Sequence, residues 1–317
     1  MDLTLRAAES MLVMVTLFAA ALALRGTGVL TEQHSGIFAR AITKLILPAL
    51  VFSHLAQHRV TAEMLDAPGL MFSSSLALML LGYLAGRFLF RLSRPGLGAF
   101  LLCTGFTSAA FLGIALVEIV YPDGGNIEET VLIAELGVGL PLFMLGPLIA
   151  AHFGAPDGEG PSLVRGLTDY LRSPIFIAIV AGFVWGGLGL PTGGNLFLNV
   201  LFAVCKQLEG GLVPMVGLAV GLMLRPLPVL SLAPLILFVA AAQLVLQPLY
   251  LAQGADLLGL PDAQRGSLLV QGAAPVATLP AIFAREYGCD GPLAAALVLS
   301  TTLLAIGSIP LMILWLH

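Results

Sequence analysis

About ten apolar segments, each close to the length that crosses a lipid bilayer, dominate this chain of 317 residues. A transmembrane helix needs roughly 20 mostly apolar residues, because the hydrocarbon core of a bilayer is about 30 Å thick. Only 10% of the residues are charged, against about 25% in soluble domains, so a soluble fold is excluded. We predict an all-α polytopic membrane protein with ten transmembrane spans, at approximately residues 10–24, 37–56, 69–90, 97–120, 130–151, 174–190, 196–223, 229–252, 265–284 and 289–316.

The two halves of the chain match each other at a constant offset, which indicates an ancient duplication. Three pairs of landmarks lie 166 residues apart, namely Pro48 with Pro214, Tyr121 with Tyr287, and Arg40 with Lys206. Each half holds five spans, and this odd number makes the second half enter the membrane from the opposite side. We therefore predict two inverted repeats, residues 1–152 and 172–317, joined by a central cytoplasmic linker at 153–171.

Basic residues near the ends of the spans fall mainly on one side of the predicted membrane. The loops after spans 1, 3, 5, 7 and 9 hold ten of them, and the opposite side holds three, Arg6, Arg59 and Arg265. Because cytoplasmic loops carry the excess of Lys and Arg, we predict a protein of the cell (inner) membrane with both termini on the non-cytoplasmic side. The sequence contains no basic run, so the lipid bilayer is an expected partner and nucleic acid is not.

Spans 4 and 9 occupy corresponding places in the two repeats, and both combine small residues with signs of an irregular backbone. Pro275 and Pro280 remove two amide donors from span 9, while span 4 carries a run of small residues. We expect both spans to be interrupted and to cross near mid-membrane, around 109–115 and 274–280, where the N-termini of half-helices bind anions. The alternative is that the hydroxyls bond back to their own helices and the glycines serve only packing. The candidate substrate-binding residues are Thr107, Ser108, Ala109, Ala110, Phe111, Gly113, Gln271, Gly272, Ala274, Pro275, Thr278 and Pro280.

Glu118, Glu135 and Gln243 are candidates for ion or proton coupling. Glu135 lies inside span 5, where a carboxylate is costly enough to indicate a functional role. Glu118 lies near the outer end of span 4, and a solvated carboxylate at the membrane interface is an equally good interpretation. Gln243 shares a helix face with Gln247, and a hydrogen bond between helices is the alternative for this pair.

Two other groups of polar residues receive structural interpretations. His54 and His58 have the histidine spacing of a zinc-protease helix, but Leu55 stands where the catalytic glutamate would be. We therefore expect no metal site and interpret both histidines as interfacial. Lys206 and Glu209 are three residues apart, which predicts an internal ion pair within span 7.

Several stretches resemble the auxin efflux carrier family of transporters. The run from Phe111 to Glu118 is similar to its fourth-helix motif, Asn-x-Gly-Phe-x-Gly-Ile-Pro, and three further stretches resemble its second, sixth and ninth helices, namely Leu47 to Phe52, Ser173 to Ala178, and Pro275 to Tyr287. The resemblance implies inverted repeats with broken, crossed helices 4 and 9, and elevator-type transport of a small organic anion, auxin-like or a dicarboxylate. It also implies a scaffold of helices 1, 2, 6 and 7, transport helices 3–5 and 8–10, and a homodimer through the scaffold.

Three departures from the family motif bear on the substrate. Ser108 stands where the family has asparagine, Ala110 replaces a glycine, and Ala115 replaces the helix-breaking proline. The break in span 4 must then rely on Gly105 and Gly113. Losing the asparagine amide also changes the polar groups that are offered to a substrate.

A secondary transporter accounts for the repeats and for the paired breaks. An intramembrane enzyme would need a nucleophile with its base, an aspartate pair or a set of metal ligands within the spans, and the sequence shows none of these. There is also no phosphate-binding loop for ATP. We predict a transporter that is not an enzyme and has no cofactor. The alternative is a sodium-coupled transporter like the bile acid and sodium symporter family, and the sequence does not decide between coupling to Na⁺ and to H⁺.

Overall fold

Every regular element in the described part of the chain is a helix. The computed structural model describes residues 3–57, 65–114, 116–117, 127–155, 171–224 and 229–316. The first half forms α1 (Leu3–Gly26), α2 (His34–Ala41), α3 (Leu47–Gln57), α4 (Asp66–Leu84), α5 (Arg94–Gly105), α6 (Ile127–Leu132) and α7 (Leu140–Gly154). The second half forms α8 (Pro174–Gly187), α9 (Leu196–Gly210), α10 (Leu212–Met223), α11 (Val229–Ala241), α12 (Gln247–Leu258), α13 (Asp262–Gly272), α14 (Leu279–Glu286) and α15 (Gly291–Leu316). The all-α class is confirmed.

Prolines explain where several helices widen into a short π-helical turn. Three of these turns each end two residues before a proline: Ile42–Ile46 before Pro48, Ile133–Gly139 before Pro141, and Ala242–Leu246 before Pro248. Proline has no amide hydrogen and its ring clashes with the carbonyl four residues earlier, so a wider turn absorbs the mismatch without ending the helix. The turn Ile133–Gly139 carries Glu135, which connects this local effect of proline to the candidate site.

Close helix packing produces two groups of helices. In the first group α3 packs against α8, where a Cβ on Gly182 would lie 3.1 Å from the carbonyl oxygen of Phe52. In the same group α10 packs against α1 and α2, and Gly217 and Gly221, one helical turn apart, let α1 approach closely. In the second group α4 packs against α5, α12 and the turn Ile133–Gly139. The helices α14 and α15 both pack against α5 of the second group. They join the two groups, because α14 also contacts α2 and α10 and α15 also contacts α1.

Six helical stretches in the described residues are long and apolar enough to cross a membrane. They are His34–Gln57, Asp66–Leu89, Glu129–Gly154, Leu196–Met223, Ser231–Leu258 and Gly291–Ile309. Shorter apolar helices cover Val15–Gly26 and Pro174–Gly187. The segments α5, α13 and α14 have only 12, 11 and 8 residues. Since an α-helix rises about 1.5 Å per residue, none of these three crosses a bilayer alone.

The predicted linker between the repeats falls mostly outside the described part of the chain. Of residues 153–171, the structure leaves 156–170 undescribed. The preceding helix α7 ends at Gly154 and the following helix α8 begins at Pro174. The boundaries of the two repeats therefore stay predictions.

Candidate functional site

Span 4 is interrupted between α5 and a π-helical turn at Ala109–Gly113. The helix α5 ends at Gly105, and Phe106 has extended backbone with φ −124° and ψ 116°. The non-helical residues are 106–108, just before the window of 109–115 expected from the sequence. Gly113 lies within the turn, where a Cβ would come within 3.2 Å of Cα of Gln271. Glycine at 113 thus allows span 4 to approach span 9 closely.

Span 9 is interrupted between α13 and α14. The helix α13 ends at Gly272, residues 273–278 are not helical, and α14 begins at Leu279. Pro275 lies in this interruption. Pro280 lies in the first turn of α14, where a missing amide hydrogen removes no helical hydrogen bond. The interruption overlaps the window expected from the sequence.

The two interruptions meet in an isolated antiparallel β-bridge between Thr107 and Val276. Two backbone hydrogen bonds frame it, from the Ser108 amide to the Pro275 carbonyl at 2.8 Å and from the Ala277 amide to the Phe106 carbonyl at 2.9 Å. The Thr107 hydroxyl donates a further bond of 2.7 Å to the carbonyl oxygen of Ala274. Backbone groups that lose their helical partners are therefore paired inside the protein, as irregular backbone at membrane depth requires.

Two fully buried glutamines bind carbonyl oxygens near the crossing. The side-chain amide of Gln243 donates to the carbonyls of Thr104 at 2.7 Å and Cys103 at 3.3 Å, at the C-terminal end of α5. The amide of Gln271 donates to the carbonyl of Thr130 at 3.0 Å. Helices end with carbonyls that lack intrahelical donors, so Gln243 completes the end of α5. Both contacts are bonds between helices, the alternative considered for Gln243 from its sequence.

A cavity of about 290 Å³ lies beside the crossing. The crossing contributes Thr107, Ser108 and Ala277 to its wall, and helices α3 and α10 contribute Leu50 and Leu212. Most of the other lining side chains are apolar. A ligand in this cavity would touch both interrupted spans and the helices packed beside them.

Three charged or titratable side chains meet at this cavity. His54 of α3 lies between Glu135 and Glu209, with its Nδ1 atom 3.2 Å from Oε1 of Glu135 and its Nε2 atom 3.0 Å from Oε1 of Glu209. The Nε2 contact has hydrogen-bond geometry, whereas the Nδ1 contact is off the N–H direction. The three side chains are 24%, 15% and 38% exposed respectively, so each is partly desolvated and still reachable by water.

A second, more polar cavity of about 400 Å³ adjoins the first. Its lining includes Gln57, Thr192 and Lys206. His54 and Glu209 line both cavities. These two side chains therefore stand between the crossing and the second cavity, which is called the outer cavity because none of its lining residues belongs to the crossing.

A sequence model of the family described as membrane transport proteins matches residues 7–152 and 165–313. The chain belongs to the auxin efflux carrier family. The resemblance seen in the sequence is thereby confirmed, and the protein is a membrane transporter and not an enzyme. Together with its membrane-spanning helices, family membership makes it an integral membrane protein in a lipid bilayer.

Two archaeal relatives resemble this member of the auxin efflux carrier family over most of its length. An uncharacterized transporter from Methanocaldococcus jannaschii is 20% identical over 278 residues, which is 87% of each chain. An uncharacterized transporter from Methanothermobacter thermautotrophicus is 22% identical over 309 residues, which is 96% of each chain. Both relatives are described as transporters, in agreement with the family of this chain.

The predicted site residues of this auxin efflux carrier family member fall into three groups. Thr107, Ser108 and Glu135 line the cavity. A second group lies in or beside the interruptions, or bonds to one of them, without lining the cavity: Ala109, Gly113, Gln243, Gln271, Gly272, Ala274, Pro275, Thr278 and Pro280. The side chains of Ala110 and Phe111, and the whole of Glu118, lie outside the described residues.

Sequence reasoning missed His54 and Glu209. The family motifs do not include them, and the sequence around His54 predicts an interfacial residue. The sequence predicts an ion pair between Glu209 and Lys206, but in the structure the Glu209 carboxylate lies 3.0 Å from Nε2 of His54. No local pattern could have joined His54 to a carboxylate 155 residues away in the sequence. The one available signal was the depth of Glu135, which left an intramembrane carboxylate without an assigned partner.

Proposed function

We propose that this protein is a secondary transporter that carries a small organic anion, bound where the two interrupted spans cross. The observation that carries the proposal is the position of the cavity. Its wall combines Thr107, Ser108 and Ala277 of the crossing with Leu50 of α3 and Leu212 of α10. A ligand there contacts both groups of helices, as alternating access requires.

Backbone dipoles are the source of positive potential in this proposal. No Lys or Arg is among the cavity-lining residues in the described part of the chain. The turn that starts at Ala109 and the helix that starts at Leu279 both begin at the crossing, and the first amides of a helix carry partial positive charge. Thr278, buried between the cavity-lining residues Ala277 and Leu279, has a hydroxyl with no hydrogen-bond partner among the described residues. These groups support weak, releasable binding of a carboxylate.

Cavity size and lining favour a small substrate with an apolar body. The volume of about 290 Å³ lies just below the range of small-molecule sites, which span roughly 300–1,000 Å³. Serine and threonine hydroxyls supply hydrogen bonds, and apolar side chains cover most of the remaining wall. The size admits an auxin-like monocarboxylate or a short dicarboxylate, and the apolar lining matches the aromatic body of the monocarboxylate.

The finer architecture belongs to the same proposal. Six long spans, two shorter apolar helices and the two interrupted spans add up to ten, which supports two inverted five-helix repeats. In an elevator mechanism, spans 3–5 and 8–10 would carry the crossing past a scaffold of spans 1, 2, 6 and 7. The separate packing groups around α3 and α4 support this division. A homodimer through the scaffold and non-cytoplasmic termini complete the proposal.

Flux into liposomes tests the proposal. Purified protein should admit labelled malonate or labelled indole-3-acetate faster than protein-free liposomes, saturably and in competition with the unlabelled acid. A labelled amine of similar size should not enter. Uptake that requires a Na⁺ gradient would favour the alternative, a transporter like the bile acid and sodium symporters. Failure of every carboxylate in such a panel would contradict the proposed substrate class.

A variant of Ser108 tests where the anion binds. Ser108→Ala should weaken the apparent affinity for the transported acid by about 0.5–1.5 kcal/mol, the net value of one hydrogen bond. Thr302→Ala is the matched control, because the Thr302 hydroxyl bonds to Val298 of its own helix at 2.8 Å and does not line the cavity. Equal affinities for both variants and the unmodified protein would show that the crossing is not the binding site.

A further inference from the structure

The imidazole of His54 faces a carboxylate oxygen at each of its two ring nitrogens. Nδ1 lies 3.2 Å from Glu135, and Nε2 lies 3.0 Å from Glu209. A neutral imidazole has one N–H donor and one lone pair. If both carboxylates were charged and the ring neutral, the ring nitrogen without a proton would lie at contact distance from a negatively charged oxygen with no hydrogen between them. The three side chains therefore need one proton in addition to the single N–H of a neutral imidazole.

The proton requirement does not depend on which group holds the proton. An imidazolium can donate to Glu209 and attract the nearby Glu135 carboxylate, or a neutral imidazole can donate to Glu209 while Glu135 holds the proton. Both arrangements contain the same number of protons, and such coupled groups titrate as a unit. The geometry thus defines a three-residue site for one exchangeable proton.

This site connects the two groups of helices that the proposed transport cycle separates. His54 and Glu209 lie on α3 and α9, which pack against each other. Glu135 lies on the π-helical turn that packs against α4. The contact of 3.2 Å between His54 and Glu135 must therefore break when the crossing moves, and it is also the less well aligned of the two.

We propose that His54, Glu135 and Glu209 form the proton-binding site that couples inward H⁺ movement to transport of the organic anion. This inference rests on the proposed function and adds the coupling ion and its position. These three side chains are called the triad, and water in the outer cavity supplies their proton. With the proton bound, the triad holds the cavity in the state described here. When the crossing moves, Glu135 keeps the proton and a neutral His54 stays with Glu209, so no ion pair has to be broken and the proton crosses with the anion. Glu135 then releases the proton to water on the other side of the membrane.

Charge fixes the direction of coupling as symport. Two carboxylates and a neutral imidazole carry a charge of −2, and the added proton reduces this to −1. An anion entering from the outer cavity passes His54 and Glu209, so protonation lowers the repulsion that it meets. The neighbouring titratable groups are few: Lys206 of α9 lines the outer cavity, and the thiol of Cys205 on the same helix interacts with Glu209. The helices α8 and α10, which pack nearby, contain none.

Two assays on the full-length protein in liposomes separate coupling from transport. Exchange of labelled for unlabelled malonate at equal pH requires binding and alternating access but no net proton movement. Accumulation of labelled malonate with the outside one pH unit more acidic requires coupling. With the membrane potential clamped at zero by K⁺ and valinomycin, one proton per anion allows up to about tenfold accumulation. A Na⁺ gradient should drive none.

His54→Gln should lose accumulation, giving an inside-to-outside ratio near one, while exchange persists at a reduced rate because the side chain also lines the anion cavity. Glu135→Gln should behave in the same way. His34→Gln is the matched control, because His34 accepts a bond of 2.9 Å from the Thr31 amide and lines neither cavity, so this variant should keep both activities. Should His54→Gln fail to fold, Glu209→Gln replaces the most exposed member of the triad and serves the same test.

Each result decides one of the two proposals. Unmodified protein that exchanges malonate but ignores the pH gradient, or a His54→Gln variant that still accumulates malonate like the unmodified protein, would overturn the proton site alone. If malonate does not exchange, the same pair of assays with indole-3-acetate applies, corrected for entry into protein-free liposomes. Absence of exchange for both acids would overturn the proposed anion transport together with the coupling built on it.

Discussion

The two interrupted spans reach a similar geometry by different chemistry. In span 9, Pro275 lies in the interruption and Pro280 lies in the first turn of the next helix. The two prolines themselves remove two backbone amide donors from this span. Span 4 has no proline at its interruption. There the Thr107 hydroxyl and the Gln243 side-chain amide bond to carbonyls on both sides of the crossing. A helix can therefore be interrupted by removing donors from within or by adding partners from other helices.

The largest effect should come from Gly113, where the two spans touch. A leucine there would place its Cβ 3.2 Å from Cα of Gln271, and a backbone atom cannot move aside as a flexible side chain can. Gly113→Leu should therefore lower the free energy of unfolding by more than about 3 kcal/mol, or prevent folding. Gly187→Leu is the control, because no atom lies within 4 Å of a Cβ at that exposed position. Denaturant titration in mixed micelles measures both. Similar stabilities would show that the spans do not touch at Gly113.

An intermediate effect should come from Gln243, the external partner of span 4. Gln243→Leu keeps the position apolar and buried but leaves the carbonyls of Thr104 and Cys103 without their donor. The free energy of unfolding should fall by about 1–3 kcal/mol, the cost of an unpaired buried polar group. Gln253→Leu, at an exposed position of α12, should change it little. If both variants unfold at the same denaturant concentration, Gln243 does not support the end of α5.

The smallest effect should come from Pro275 itself. The bridge between Thr107 and Val276 and the bond from the Ser108 amide to the Pro275 carbonyl need no proline ring. Pro275→Ala should therefore keep the interruption and lose about 0.4–1 kcal/mol, the entropy that proline removes from the unfolded chain. A loss of more than about 2 kcal/mol in the same titration would show that proline creates the interruption instead of marking it.

The sequence located the interruption of span 9 better than that of span 4. Prolines act on their own backbone, so Pro275 pointed to the right segment without knowledge of the fold. Gly113 was expected to help break span 4, but it lies in a helical turn and serves close packing against Gln271. The break falls at 106–108 because the partners that hold it come from spans 8 and 9, and their arrangement exists only in the folded protein.

The triad likewise could be predicted only in part from the sequence. Glu135 could be identified alone, because a carboxylate in an apolar span is costly wherever its partner lies. His54 and Glu209 could not, since each also had a plausible local role at a helix end or beside Lys206. Only the packing of α3 and α9 beside the turn Ile133–Gly139 brings the three side chains together.

The bridge at the crossing has a consequence for the synthesis of the protein. It joins segments about 167 residues apart, as the bond from Thr107 to Ala274 shows. At about 5–20 residues per second, a ribosome needs roughly 10–30 s to make the intervening chain. Throughout that interval the polar backbone at 106–108 is already made, but the segment 274–277 that pairs with it is not. The anion site is therefore among the last parts of the molecule to form, and a chain truncated before residue 274 would lack it entirely.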